Sequence, residues 1–230
     1  MTTHTTHEPS LLDHAPRLAW YGGWVSILVG IMHSLARFAT EDGQEDVTAL
    51  TSFWADPARR LLEPLLTFAD VDHVYVIYGM LWGPLFLVAL GCAVVVRRRR
   101  SGMGGGERWA WRVYLTGFTL FTIGGCGAYY GSWINPALID GAFVALVIPG
   151  VLITLIGGTW LGIVLLRRGF RPRVTAALLA AILPLVIAVQ MFMSLGSAFM
   201  PMLIAWGFAG RAIVAQDAND PAESDVVAPV

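Results

Sequence analysis

Six apolar segments, separated by short polar stretches, constrain the fold of this chain more than any other feature. A membrane-spanning helix needs about 20 predominantly apolar residues. Five segments reach that length, at about 18–39, 73–96, 109–132, 141–166 and 174–195. Charged residues make up only 13% of the chain, whereas soluble domains carry roughly 25%. We therefore predict an all-α fold, a polytopic transmembrane helix bundle.

The sixth segment, Ala198–Ala215, is marginal because it holds only about 18 residues. If it continued the fifth segment as one helix, roughly 30 Å of apolar surface would project beyond the membrane. A tight turn at residues 195–197 followed by a sixth span avoids that exposure. Six spans are therefore the prediction, with five as the alternative.

The charged residues are segregated along the chain, although the formal net charge is only −1. All 15 basic residues are arginines, and most of them lie in the stretches 97–112 and 167–173. Half of the 16 acidic residues lie between Glu41 and Asp72. Because basic clusters beside spans mark the cytoplasmic side, we predict a multi-pass protein of the inner or plasma membrane. Its N-terminus is then cytoplasmic, and the loop 40–72 lies outside.

This pattern divides the chain into a bundle and two tails. Residues 1–17 are polar and are predicted to form a mobile cytoplasmic tail. Residues 18–215 form the bundle, including the outer loop 40–72. Residues 216–230 are acidic, contain proline and are predicted to be disordered.

The outer loop has a helical pattern of its own. Apolar residues recur at helical spacing through its second half, at Ala58, Leu61, Leu62, Leu65 and Phe68. Asp56 and Pro57 form a typical helix start, an N-cap followed by proline. A shorter segment, Val47–Trp54, precedes them. We predict one or two short amphipathic helices on the outer surface.

One polar pair, His33 and Arg37, lies inside the first apolar segment. Ionisable side chains are costly in a membrane span and mark candidate functional sites. At 100° per residue, both share an arc of about 80° with Gly23, Ser26 and Gly30. Small residues mark the faces on which membrane helices pack together. The pair is therefore predicted to face protein, and similar glycine patterns in the third and fourth segments predict further close contacts.

The predicted topology places other polar and aromatic residues at the depth of this pair. We predict an outward-facing polar pocket, with candidate ligand-binding residues His33, Arg37, Asp72, Tyr75, Tyr130 and Trp133. In the structural interpretation, Arg37 pairs with Asp72 or Asp70, and His33 bonds a neighbouring carbonyl. In a second interpretation, Arg37 binds a small polar or anionic ligand, and the outer-loop helices act as a lid.

A metal centre is the third interpretation of the same region. His33 and His73 are the two histidines near the predicted bilayer, and methionines lie close to the same depth. Imidazole and thioether ligands suit copper, and facing histidines suit haem. Copper or haem therefore remains open as a cofactor, with His33 and His73 as the candidate ligands.

Four prolines interrupt the predicted spans, namely Pro84, Pro149, Pro184 and Pro201. A proline within a span frees a backbone carbonyl and can kink the helix. Broken helices build substrate sites in some transporters. No internal repeat accompanies these prolines here, so we expect ordinary kinks.

The sequence indicates membrane partners rather than a reaction. The run Arg97–Arg100 is expected to bind anionic headgroups, and so short a run gives no reason to expect nucleic acid. The chain has no hydrolase motif of the Gly-x-Ser-x-Gly or His-Glu-x-x-His kind. We expect a non-enzymatic accessory or binding subunit that associates with other membrane subunits or with itself. The alternatives are a small-solute or ion transporter, or a membrane metalloprotein.

Overall fold

The computed structural model describes residues 11–135 and 137–219, and within these ranges it contains helices and no strands. The predicted all-α fold is thereby confirmed for the described residues. The eleven α-helices are α1 (Leu11–Arg37), α2 (Ala49–Leu61), α3 (Glu63–Leu66), α4 (Val71–Met80), α5 (Trp82–Arg99), α6 (Gly105–Gly131), α7 (Ala137–Ala142), α8 (Ile148–Arg167), α9 (Arg173–Ala180), α10 (Ile182–Gln190) and α11 (Met200–Asn219). Shorter helical turns cover Asp42–Asp46, Phe143–Val147 and Leu195–Phe199.

Four stretches are long and apolar enough to cross a membrane: Leu12–Arg37, Val71–Arg99, Phe143–Arg167 and Leu195–Asn219. The pair α9–α10 adds a fifth if it is one broken span. Helix α6 has 27 residues but is not among these stretches, because glycine, threonine and tyrosine dilute its apolar character. The described residues thus contain four to five apolar helices of spanning length.

The helices run antiparallel in a bundle with two chemically distinct ends. Helix α1 runs opposite to α5 and α11, and α6 runs opposite to α8, as the residue contacts between them show. The loop 38–70 with its acidic residues lies at one end, which we call the acidic end. The turns 100–104 and 168–172 lie at the other, which we call the arginine-rich end.

Close contacts between small residues and backbone hold these helices together. Added β-carbons at Gly117 and Gly150 would each lie 2.5 Å from a backbone nitrogen of the facing helix, that of Thr154 or Phe121 respectively. Likewise, Gly210 of α11 lies directly against the backbone of Pro16 in α1. The approaches at Gly117 and Gly150 confirm that the small residues of α6 and α8 mark packing faces.

Pro84 and Pro184 each break a predicted span. Because Pro84 has no N–H, the carbonyl of Met80 loses its helical donor, and the helix is interrupted between α4 and α5. The hydroxyl of Tyr130 donates to that carbonyl at 2.8 Å. At Pro184 the break is larger, with α9 and α10 bent by 66°, so an ordinary kink was the wrong expectation there.

The other two prolines behave differently. Pro149 follows a wide helical turn at Phe143–Val147 that precedes α8. Pro201 is the second residue of α11, where a missing N–H has no helical acceptor to lose. Pro201 therefore starts a helix rather than interrupting one.

The first helix of the loop 38–70 does not begin at the predicted residue. Helix α2 starts at Ala49 with Thr48 as its N-cap, and the side chains of Thr48 and Thr51 cap each other's backbone N–H. Pro57 lies inside α2, so Asp56 does not begin a helix. The prediction of short helices in this loop is confirmed, whereas the predicted start is wrong.

The first and the last helix both extend beyond the boundaries that were predicted for the bundle. Helix α1 includes residues 11–17, which the sequence assigned to a tail, and α11 continues to Asn219. Residues 1–10 and 220–230 lie outside the described residues, so the predictions for those parts of the tails stay predictions.

We expect Gly210→Ala to lower the free energy of unfolding in detergent by roughly 1–3 kcal/mol, because its methyl group overpacks the α1–α11 contact. The matched control is Gly125→Ala in α6, where nothing lies within 4 Å of the added carbon. Thermal or denaturant unfolding of both purified variants measures the effect. Equal losses in the two variants would contradict the proposed packing.

Candidate functional site

His33 lies at the centre of a buried polar cluster near the acidic end. Its side chain is only 1% exposed, as expected for a residue on the small-residue face of α1. The ring Nδ1 is hydrogen-bonded to Ser194 Oγ at 3.2 Å, and Nε2 to Tyr129 Oη at 2.9 Å. A hydroxyl both donates and accepts, so either tautomer of His33 is satisfied.

Three serines extend this arrangement on one side of the ring. Ser34 Oγ lies 3.1 Å from Ser194 Oγ and 2.9 Å from Ser197 Oγ. Ser197 donates in turn to the carbonyl of Gly30 at 2.9 Å, and the Ser194 N–H donates to Ser34 Oγ at 3.0 Å. We call His33, Ser34, Tyr129, Ser194 and Ser197 the polar cluster. It connects α1 and α6 to the turn between α10 and α11.

Aromatic rings enclose His33 on its other sides. The ring centroid of Tyr75 lies 4.9 Å away and that of Trp82 lies 6.1 Å away. Tyr75 Oη also lies 3.3 Å from Tyr129 Oη, which brings α4 into the same contact. Trp82 stacks on Phe86 farther along α5. The histidine is therefore surrounded by protein, as the sequence predicted.

Helix α2 covers the turn that carries the serines. The indole N–H of Trp54 donates to the carbonyl of Phe192 at 2.8 Å, two residues before Ser194. The Trp54 ring also contacts Phe38, the residue that follows α1. On the same face of α2, Thr51 and Ala55 are buried. One face of α2 is thus packed onto the acidic end of the bundle.

Arg37 does not pair with Asp70 or Asp72, which corrects the structural interpretation of the sequence. Its Nε lies 3.3 Å from Asp46 Oδ2 in the loop that follows α1. The guanidinium also lies over the ring of Tyr75, with Cζ 5.6 Å from the centroid. The reason is local: the chain turns sharply after α1, and the turn Asp42–Asp46 brings an acid closer than α4 can.

Asp70 and Asp72 lie at the start of α4 instead. Asp70 is its N-cap and accepts from the His73 N–H at 3.2 Å. Hydrogen bonds from the backbone and ring of His73 hold the pKa of Asp70 below its ordinary value. Asp72 is exposed rather than turned inward as the predicted pocket required. Neither carboxylate contributes to the polar cluster.

The two candidate metal ligands are not brought together. Both ring nitrogens of His33 already face hydroxyl groups, whereas His73 is 62% exposed and pairs with Asp70. Within residues 11–135 and 137–219, no three or more His, Cys, Asp or Glu side chains form a group suited to a metal ion. The proposed His33–His73 pair is therefore not assembled in this structure.

The three aromatic candidates, Tyr75, Tyr130 and Trp133, lie in different surroundings. Tyr75 joins the surroundings of His33, whereas Tyr130 satisfies the carbonyl freed by Pro84. Trp133 is exposed and its ring contacts His73. Of the six candidate ligand-binding residues, His33, Arg37 and Tyr75 are grouped, and the other three lie apart from the polar cluster.

The sequence did not identify two serines of the polar cluster, Ser194 and Ser197, as candidates. It also did not identify Trp54 of helix α2, which covers them. The relevant signal for the serines was present, because Ser194 precedes the turn predicted at 195–197 and Ser197 ends it, at the same end as His33. Trp54 lies in the predicted outer helix, and nothing in its spacing indicates the backbone carbonyl that it binds.

Comparisons of this chain with protein-family models, with curated proteins and with solved structures found no match.

We expect Tyr129→Phe to lower the free energy of unfolding by about 1 kcal/mol, since hydrogen bonds between membrane helices contribute roughly 0.6–1.7 kcal/mol. The change removes the hydroxyl beside His33 Nε2 while keeping the ring. Tyr21→Phe is the control, because Tyr21 is an exposed residue of α1. The measurement is denaturant unfolding in detergent of both variants.

The double mutant with His33→Ala separates this hydrogen bond from ring packing. Because both substitutions remove the same contact, their combined loss should be smaller than the sum of the single losses. Strict additivity would show that the two side chains do not interact.

Proposed function

We propose that this chain is a non-enzymatic membrane protein with six spans and both termini in the cytoplasm. It acts as an accessory or binding subunit of a membrane complex, and its acidic end, on the outer side, binds the partner. The observation that carries this proposal is the second, exposed apolar face of helix α2.

The antiparallel order of the helices supports six spans. Helix α6 lies between α5 and α8 and has four buried aromatic residues along its length, Trp111, Tyr114, Phe118 and Phe121. Its charged residues, Glu107, Arg108 and Arg112, all lie in the half nearest the arginine-rich end. A helix buried this way can cross a membrane with modest hydropathy, because its neighbours rather than lipid surround its polar residues.

The two ends of the bundle support the orientation. The turns 100–104 and 168–172 are flanked by arginines, and such clusters remain in the cytoplasm. The acidic residues collect in the loop at the opposite end. Since α1 and α11 are antiparallel, an N-terminus in the cytoplasm places the end of α11 there too.

Helix α2 supports a binding role at the outer surface. Its packed face carries Thr51 and Ala55, while Phe53 and Leu61 on another face are 85% and 81% exposed. Leu65 and Phe68, which follow α2 in the chain, are exposed as well. Several large apolar side chains exposed in one loop are typical of interaction sites. We call Leu50, Phe53, Leu61, Leu65 and Phe68 the outer apolar surface.

The polar cluster favours an accessory role over transport. Transport through the bundle needs polar groups that continue beyond His33, yet the next side chains along α5 are Trp82 and Phe86. The hydroxyls of the cluster bond each other and His33 rather than pointing into an open cavity. Such an arrangement suits a framework that holds the covering helix α2 in place.

We expect Phe53→Ser combined with Leu61→Ser to dissociate the protein from a larger assembly in gently solubilised membranes of the source cells. The reason is that polar side chains at the centre of the outer apolar surface remove the buried contact with the partner. Blue native electrophoresis followed by mass spectrometry measures the size and composition of the assembly.

The matched control is Trp133→Ser combined with Ile134→Ser, two exposed apolar residues at the same end. This control should leave the assembly unchanged. The proposal is wrong if wild-type protein migrates as a single chain, if the assembly contains only copies of this chain, or if both double variants dissociate equally.

A further inference from the structure

A cleft opens at the arginine-rich end, remote from the polar cluster. It has a volume of about 470 Å³ and is lined by Arg171, Pro172, Arg173, Ala212 and Gln216. A second hollow of about 270 Å³ shares Arg171, Ala212 and Gln216 with it and reaches Arg99 and Arg100. Both hollows lie between α5, the turn 168–172, the start of α9 and α11, and we call them together the cleft.

The cleft has more positive than negative charge among the described residues. Arg99 is bound bidentately by Asp217, at 2.6 and 3.0 Å. Arg100 contacts Glu107 at 2.9 Å. Within residues 11–135 and 137–219, Arg171 and Arg173 take part in no ion pair. Two arginines are therefore neutralised in place, and two remain for an anion from outside the bundle.

Apolar side chains line the second hollow beside its arginines. They are Val96 of α5, Ala209 and Ile213 of α11, and the buried ring of Phe170. The guanidinium of Arg100 lies over that ring, with Cζ 5.6 Å from its centroid. The second hollow thus combines guanidinium groups with apolar side chains.

We propose that this cleft binds a phosphate group, carried either by an anionic phospholipid headgroup or by free inorganic phosphate. Guanidinium groups bind phosphate oxygens through paired hydrogen bonds, which favours arginine at such sites. Basic pockets between spans on the cytoplasmic side are typical of headgroup binding.

Arg171 and Arg173 replace the run Arg97–Arg100 as the residues proposed to bind the lipid headgroup. The sequence indicated the run Arg97–Arg100, but Arg99 and Arg100 are paired with acids, and Arg97 and Arg98 do not line the cleft. Arg171 and Arg173 are the residues that bind the phosphate group, and the run Arg97–Arg100 contributes general attraction to the membrane surface.

The test is native mass spectrometry of the full chain in detergent, titrated separately with phosphatidylglycerol, phosphatidylcholine and inorganic phosphate. Arg171→Gln combined with Arg173→Gln should weaken the binding of phosphatidylglycerol or of inorganic phosphate, whichever binds the wild-type protein, at least tenfold. Arg97→Gln combined with Arg98→Gln removes the same charge at the same end and should change binding less than twofold.

The three probes identify the source of the phosphate. Tight binding of phosphatidylglycerol with weak binding of inorganic phosphate supports a lipid headgroup, and the reverse supports the free anion. The proposal is overturned if neither phosphatidylglycerol nor inorganic phosphate binds, or if the two double variants lose affinity equally. The proposal is also overturned if phosphatidylcholine binds as tightly as phosphatidylglycerol and inorganic phosphate does not bind, because the cleft would then show no preference for an anion.

Discussion

The hydrogen bonds of His33 organise the acidic end of this protein, because they connect elements that are distant in sequence. Ser194 lies 161 residues from His33 and Tyr129 lies 96 residues away. A buried polar group is costly unless a partner satisfies it with a hydrogen bond. His33 can therefore remain buried only where α6 and the turn before α11 supply hydroxyls. Those elements are held in place relative to α1 for the same reason.

The packing of small residues makes this arrangement possible. Gly23 of α1 lies so near α11 that an added β-carbon would be 3.2 Å from the carbonyl oxygen of Leu203. Gly30, one turn before Ser34, lies against the side chain of Met200. Close approach of α1 and α11 brings the turn Leu195–Phe199 over the end of α1. Short side chains such as serine then span the remaining distance.

Much of this fold follows from local sequence pattern. The apolar segments predicted helices, the small residues predicted their contact faces, and the position of His33 on such a face predicted its burial. The partner of Arg37 did not follow, because Asp46 becomes its neighbour only through a sharp turn that no periodicity marks. The start of α2 was also missed, since the capping threonines compete with a more obvious Asp-Pro start. Tertiary hydrogen bonds, such as that from Trp54 to a carbonyl of Phe192, leave no trace in local sequence.

The most direct measurement of the central claim is solid-state NMR of the protein in lipid, with ¹⁵N-labelled histidine rings and ¹³C-labelled tyrosine rings. The account predicts a short-range contact between a histidine Nε2 and the hydroxyl-bearing carbon of a tyrosine, and Tyr129→Phe should abolish it. The ring N–H proton of His33 should also exchange slowly with deuterium from heavy water. A missing contact in the wild-type protein, or one that persists in Tyr129→Phe, would contradict the account.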